Sequence, residues 1–170
     1  MPGPTQVQTP LVYITYMNAM RRLHGLSEDA RIQKAREVFA KARENPECGH
    51  SPEIYVAAAE MELSRNGRPD IAKNVFFLGF SRLPEPSVDF TVAYIVFVMN
   101  TGADDANVDL AVERCVKQYE DQEGGPARLA ELWRVYRSYC LRCRRGQGTL
   151  AHLRDIDARV DRMYVNLSPQ

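Results

Sequence analysis

Two landmarks recur along this chain at nearly one period, and that recurrence limits the available folds more than any other feature. Aromatic residues Tyr13, Tyr55, Tyr94 and Trp133 open apolar-patterned segments at separations of 42, 39 and 39 residues. Small residues Ala35, Ala72, Ala111 and Ala151 fall in the segments that follow, 37, 39 and 40 residues apart. The stretches KAREVFAKARENP (34–46) and IAKNVFFLGFSRLP (71–84) each hold an alanine, a bulky apolar pair and a terminating proline. A helix pair with an apolar face that it cannot cover alone makes that face continuous by stacking on a like pair. The alanine would let helices approach closely, and the aromatic would fill the space between pairs.

Apolar residues at i, i+3, i+4, i+7 set out eight helices in four hairpins. After a flexible tail at 1–10, Thr9-Pro10 is the expected cap and first turn, and Tyr13, Tyr16, Met17 and Met20 form the inner face up to about Leu23. The next helix presents Ala35, Val38, Phe39 and Ala42 and stops at Asn45-Pro46. Ser51-Pro52-Glu53 reads as a cap, followed by Tyr55, Ala58, Ala59 and Leu63; the partner helix offers Ala72, Val75, Phe76, Gly79 and Phe80. VDFTVAYIVFVM (88–99) is β-branched enough for a strand, yet Phe90, Ala93, Tyr94, Phe97 and Val98 keep helical spacing. Val108, Ala111, Val112, Cys115 and Tyr119 make the sixth stripe, and Leu129, Leu132, Trp133, Tyr136 and Cys140 the seventh. After Gly146-Gln147-Gly148, Leu153, Ile156, Val160 and Met163 make the last. The expected boundaries are hairpins at about 11–46, 51–84, 87–122 and 126–165, with a short tail at 166–170.

Charge narrows the partners. Lys plus Arg equals Asp plus Glu at 22 each, so no bulk positive charge points to a polyanion. The distribution is uneven: residues 84–125 carry nine acidic and two basic side chains, and residues 126–170 nine basic and four acidic. No secretory leader or membrane-length apolar run is present, so an intracellular protein with no membrane association is expected.

The chemistry-bearing residues do not assemble into a reactive site. Cys140-x-x-Cys143 with His152 is the nearest approach to a metal or redox motif, but Cys48 and Cys115 belong to distant segments and a structural zinc needs four good ligands. His24, His50 and His152 occur singly, and the glycine pairs lack a phosphate-loop context. No catalytic residue, metal or cofactor is therefore expected. Arg134, Arg137, Arg142, Arg144 and Arg145 form the most concentrated basic set. With Tyr119 and Tyr139, the residues Arg137, Arg142, Arg144 and Arg145 make the candidate interaction surface, combining flat area with polar reach. A homodimer in which the acidic third hairpin crosses the basic fourth is the expected self-association, with direct RNA contact a weaker expectation.

The hairpins resemble half-a-tetratricopeptide (HAT) repeats, which place an aromatic and an acidic residue in the first helix and an alanine with a bulky residue in the second. Tyr55 with Glu62, and Ala35-Arg36-Glu37-Val38-Phe39, are the clearest matches. The period exceeds the roughly 34 residues of tetratricopeptide repeats. In order, LVYITYMNAMRRLHG, KAREVFAKARE, EIYVAAAEME, VAYIVFVM, LAELWRVYRSY and LAHLRDIDARV look like the C-terminal HAT half of the large scaffold subunit of cleavage stimulation factor, the suppressor-of-forked family. Ile156 and Arg159 fall in that family's pattern, whereas Cys115 replaces an expected bulky residue and Asp155 adds a charge. The resemblance implies an all-α, right-handed solenoid of about four HAT hairpins. It further implies a nuclear homodimeric scaffold for pre-mRNA 3′-end cleavage and polyadenylation, with other cleavage and polyadenylation proteins as partners. HAT adaptors in splicing or other RNA processing, and an RNA-binding helical array, are the alternatives.

Overall fold

The computed structural model describes residues 8–85, 87–143 and 149–165, and every regular element among them is an α-helix. In order these are α1 (Gln8–Met20), α2 (Glu28–Glu44), α3 (Pro52–Ser64), α4 (Pro69–Arg82), α5 (Val88–Asn100), α6 (Asp105–Tyr119), α7 (Gly125–Arg142) and α8 (Thr149–Val165). The all-helical repeat architecture is thus observed. The chain divides into two compact units, residues 1–90 and 91–170.

In the first unit, α1 pairs with α2, α3 pairs with α4, and α3 also packs on both α1 and α2. Local chemistry sets the helix ends. The Ser27 hydroxyl accepts the Ala30 N–H at the start of α2, and the Asn45 N–H donates to the Lys41 and Ala42 carbonyls at its end. Proline occupies the first turn of α3 and of α4, where its missing N–H costs nothing. The α2 face is buried as its spacing requires, through Ala35, Val38, Phe39 and Ala42. Tyr55 is wholly buried; its ring meets Phe39 edge-on with centroids 5.7 Å apart, and its hydroxyl donates to the Gly49 carbonyl at 2.8 Å. Gly79 exists as a contact point: a Cβ there would lie 2.5 Å from Cζ of Phe90, whose ring packs between Phe76 and Phe80.

α1 departs from expectation. Thr9 and Pro10 lie within the helix rather than capping it, and the Thr9 hydroxyl donates to the Glu47 carboxylate at 3.2 Å. Tyr16 is exposed rather than inward, while Met17 and Pro10 are buried and Tyr13 is half-buried, accepting a hydrogen bond from Asn45. In α3 the position expected for Leu63 goes to Glu62, which is buried, leaving Leu63 half-buried.

The second unit contains α6, α7, α8 and most of α5, with α7 packed on both α6 and α8. The ambiguous stretch at 88–99 is helical. Val88, Phe90, Val92, Ile95, Phe97 and Met99 are buried, covering more than one side of the cylinder, which accounts for its strand-like composition. Tyr94 and Ala93 are half-buried, and Tyr94 stacks on Phe97. The α6–α7 turn requires glycine twice. Gly124 has φ +71°, and a Cβ on Gly125 would lie 1.8 Å from the Tyr119 carbonyl oxygen. Leu129, Leu132, Trp133, Tyr136 and Cys140 are all buried along α7.

The alanine landmarks do not share one environment. Ala35 and Ala72 are fully buried, Ala111 is half-buried and Ala151 is exposed. The buried positions of α8 are Leu153 and Ile156. Two residues of helix rotate a side chain about 200°, so Ala151 lies opposite Leu153 and cannot mediate close approach there. Arg144, Arg145, the 146–148 turn and the Met163 side chain lie outside the described residues.

Candidate functional site

Packing consumes most of the polar side chains that could act chemically. Between α2 and α3, Arg36 grips Glu62 through both fork positions: Nε donates to Oε1 at 2.8 Å and Nη2 to Oε2 at 2.9 Å. The Asn66 amide adds a third donor at 3.0 Å. Glu62 has a side chain only 3% exposed. Burial alone pushes its carboxyl up, but the hydrogen bonds from Arg36 and Asn66 and the charges of Arg36 and Arg68 outweigh it and hold it below the usual range. The Glu62 partner raises the Arg36 guanidinium in turn. This pair joins successive hairpins and supplies the acidic landmark that accompanies Tyr55.

In the second unit the hydroxyl of Tyr136 lies 2.6 Å from Asp109 Oδ1 and 2.7 Å from His152 Nε2. Its single proton goes to the carboxylate, so the imidazole N–H donates to the phenol oxygen. Tyr139 donates to Asp105 at 2.8 Å. Burial, reinforced by that carboxylate, pushes the Tyr139 phenol up to about 12. Arg159 joins α8 to α6 through Glu113 at 2.7 Å and also pairs with Asp155 at 3.2 Å.

These contacts correct the expected interaction surface. Tyr139 is buried, because Asp105 draws its hydroxyl inward, and Tyr119 is buried with its hydroxyl 3.2 Å from that of Thr91. Arg137 is half exposed and bound to Asp157 at 2.8 Å, while Arg134 pairs with Glu131. Arg142 is exposed, its Nε donating to the Ser138 carbonyl. Thus Arg134 and Arg137 of the expected stripe are each paired with a carboxylate, while Arg145 lies outside the described residues. The acidic α6 residues Asp105, Asp109 and Glu113 are used inside their own unit.

The α6–α8 surface instead holds a cleft of about 390 Å³. Glu113, Val116 and Lys117 come from one face of α6 and Glu120 from its C-cap, Trp133 from α7, and Arg159 and Arg162 from α8. Sequence reasoning missed it, although 113, 116, 117 and 120 at helical spacing and 159 with 162 carry the signal. The cysteines do not converge: Cys48, Cys115 and Cys140 are buried and Cys143 is exposed. Burial pushes the Cys115 thiol up to about 11. Among the described residues no group of three or more His, Cys, Asp or Glu is placed to hold a metal ion, and no helix is long and apolar enough to cross a membrane.

Comparison with known proteins places this architecture. The family model for suppressor of forked protein matches residues 4–169. The chain is 29% identical over 163 residues to protein suppressor of forked from Drosophila melanogaster, a match covering 95% of this chain and 19% of that protein. It is 28% identical over 131 residues to the mRNA 3′-end-processing protein rna14 from Schizosaccharomyces pombe, covering 77% of this chain and 16% of that one. The chain therefore spans less than a fifth of the length of these relatives.

Proposed function

We propose, from the premise that the chain belongs to the suppressor of forked family, that it is a noncatalytic scaffold in nuclear pre-mRNA 3′-end cleavage and polyadenylation. It works by organising other processing proteins on its helical surface, and it self-associates as a homodimer. In this reading the hairpins at about 11–46, 51–84, 87–122 and 126–165 are successive HAT repeats. The observation that carries it is the family match across residues 4–169, joined to a relative named for mRNA 3′-end processing. The use of side chains agrees with it: Glu62, Tyr136, Tyr139 and Cys115 serve packing, which leaves the outer faces for binding. Partner proteins are favoured over RNA because Arg134 and Arg137 are already neutralised by carboxylates.

Affinity purification of the tagged chain from nuclear extract, with mass spectrometry, tests the assignment. Cleavage and polyadenylation factors should be enriched; retention of spliceosomal proteins without them would refute it. Sedimentation at micromolar concentration tests self-association. Twice the chain mass is expected, and a monomer at both low and high salt would refute the dimer.

A further inference from the structure

The cleft of the second unit sets cations and apolar side chains side by side. Glu113 is engaged by Arg159 across the α6–α8 gap. Lys117 and Arg162 are both exposed on the cleft walls and have no carboxylate partner among the described residues; the Arg162 Nε donates only to the Ala158 carbonyl of its own helix. Behind them lie Val116 and Trp133, both largely buried. Two cations without a carboxylate partner among the described residues therefore flank an apolar back wall, in a volume within the roughly 300–1,000 Å³ of small-ligand sites.

We propose that this cleft receives an acidic peptide segment of a protein partner. Its carboxylates meet Lys117 and Arg162, and a neighbouring apolar side chain lies against Val116 and Trp133. Arginine at such a site can take a carboxylate in its fork, while lysine adds a point charge. With Glu113 neutralised by Arg159, Glu120 is the lining carboxylate that selects against nucleic acid. A phosphate chain carries a charge at every step and would pass Glu120, whereas a peptide can place charge on the cations and apolar groups elsewhere. The proposal deepens the scaffold reading and rests on it for the kind of partner. Its test uses only purified chain and synthetic peptide, so its outcome is separate from that of the extract experiment.

Trp133 is the only tryptophan, so intrinsic fluorescence reports on the cleft directly. The chain is titrated with a peptide rich in glutamate and leucine, and separately with a lysine–leucine peptide and an RNA oligonucleotide. Anisotropy of labelled peptide gives a second readout. Saturable binding of the acidic peptide alone is expected. Lys117→Glu with Arg162→Glu, both at exposed positions, should weaken it by about tenfold or more. Glu120→Lys, also exposed, should tighten it. Circular dichroism of each variant confirms the fold. Absence of saturable binding, insensitivity to the charge reversals, weakening by Glu120→Lys, or stronger RNA binding through the same two cations would overturn the proposal.

Discussion

Replacing Glu62 with glutamine keeps its shape and removes its charge, at the contact that joins α2 to α3. The buried carboxylate accepts two hydrogen bonds from Arg36 and one from Asn66. Breaking a fully buried ion pair from one side costs about 3–5 kcal/mol. Here the Arg36 side chain is 35% exposed and recovers water when its partner is lost, so about 2 kcal/mol is the better figure. With a urea slope of about 2 kcal/mol per molar, the midpoint should fall by about 1 M, read by far-ultraviolet circular dichroism. Hydrogen exchange should quicken in α2 and α3. The double variant Arg36→Met with Glu62→Leu should recover much of the loss, because no buried charge is then left unpaired. The folded carboxyl lies below its ordinary 4.5, so its contribution is full above about that pH and is lost as pH falls through the lower folded value. Glu62→Gln should flatten that acid slope. A midpoint change under about 0.25 M, roughly 0.5 kcal/mol, with no change in acid slope, would refute the reasoning.

Ala35→Leu should overpack the α2 contact and cost about 1–3 kcal/mol, whereas Ala151→Leu at an exposed site should stay within about 0.5 kcal/mol, both measured by urea unfolding. Gly125→Ala should destabilise the α6–α7 turn, seen as faster amide exchange there, because backbone rather than a movable side chain occupies the space of its Cβ. A thiol reagent should label Cys143 rapidly in the native protein and Cys48, Cys115 and Cys140 only on unfolding. Alkaline absorbance titration should find Tyr139 ionising near 12, with Asp105→Asn moving it down; the stability it adds is full below the usual 10 and is lost as pH rises through 12.

The residues that could be read from the sequence are those with one unambiguous side. Along α2 and α7 the apolar stripe is narrow and flanked by charge, so spacing alone identified Val38, Phe39, Leu132 and Trp133 as interior. α5 has apolar residues on most sides, and only its packing chooses helix over strand. Amphipathic residues were less legible. Tyrosine suits an interface or an interior, and what decides Tyr139 is Asp105, 34 residues away. Arg137 looked open because its neutralising acid, Asp157, lies 20 residues away on another helix, whereas Glu131, three residues before Arg134, was legible at helical spacing. The cleft was hidden for a related reason: α6, α7 and α8 contribute to it from separate stretches of chain.

Adding the purified chain in excess to a nuclear extract that both splices and cleaves a pre-mRNA tests the scaffold role most directly. Surplus scaffold should divide the processing factors among incomplete assemblies. The account predicts that 3′-end cleavage falls with rising chain concentration while splicing is unchanged. Loss of splicing with cleavage intact would contradict it.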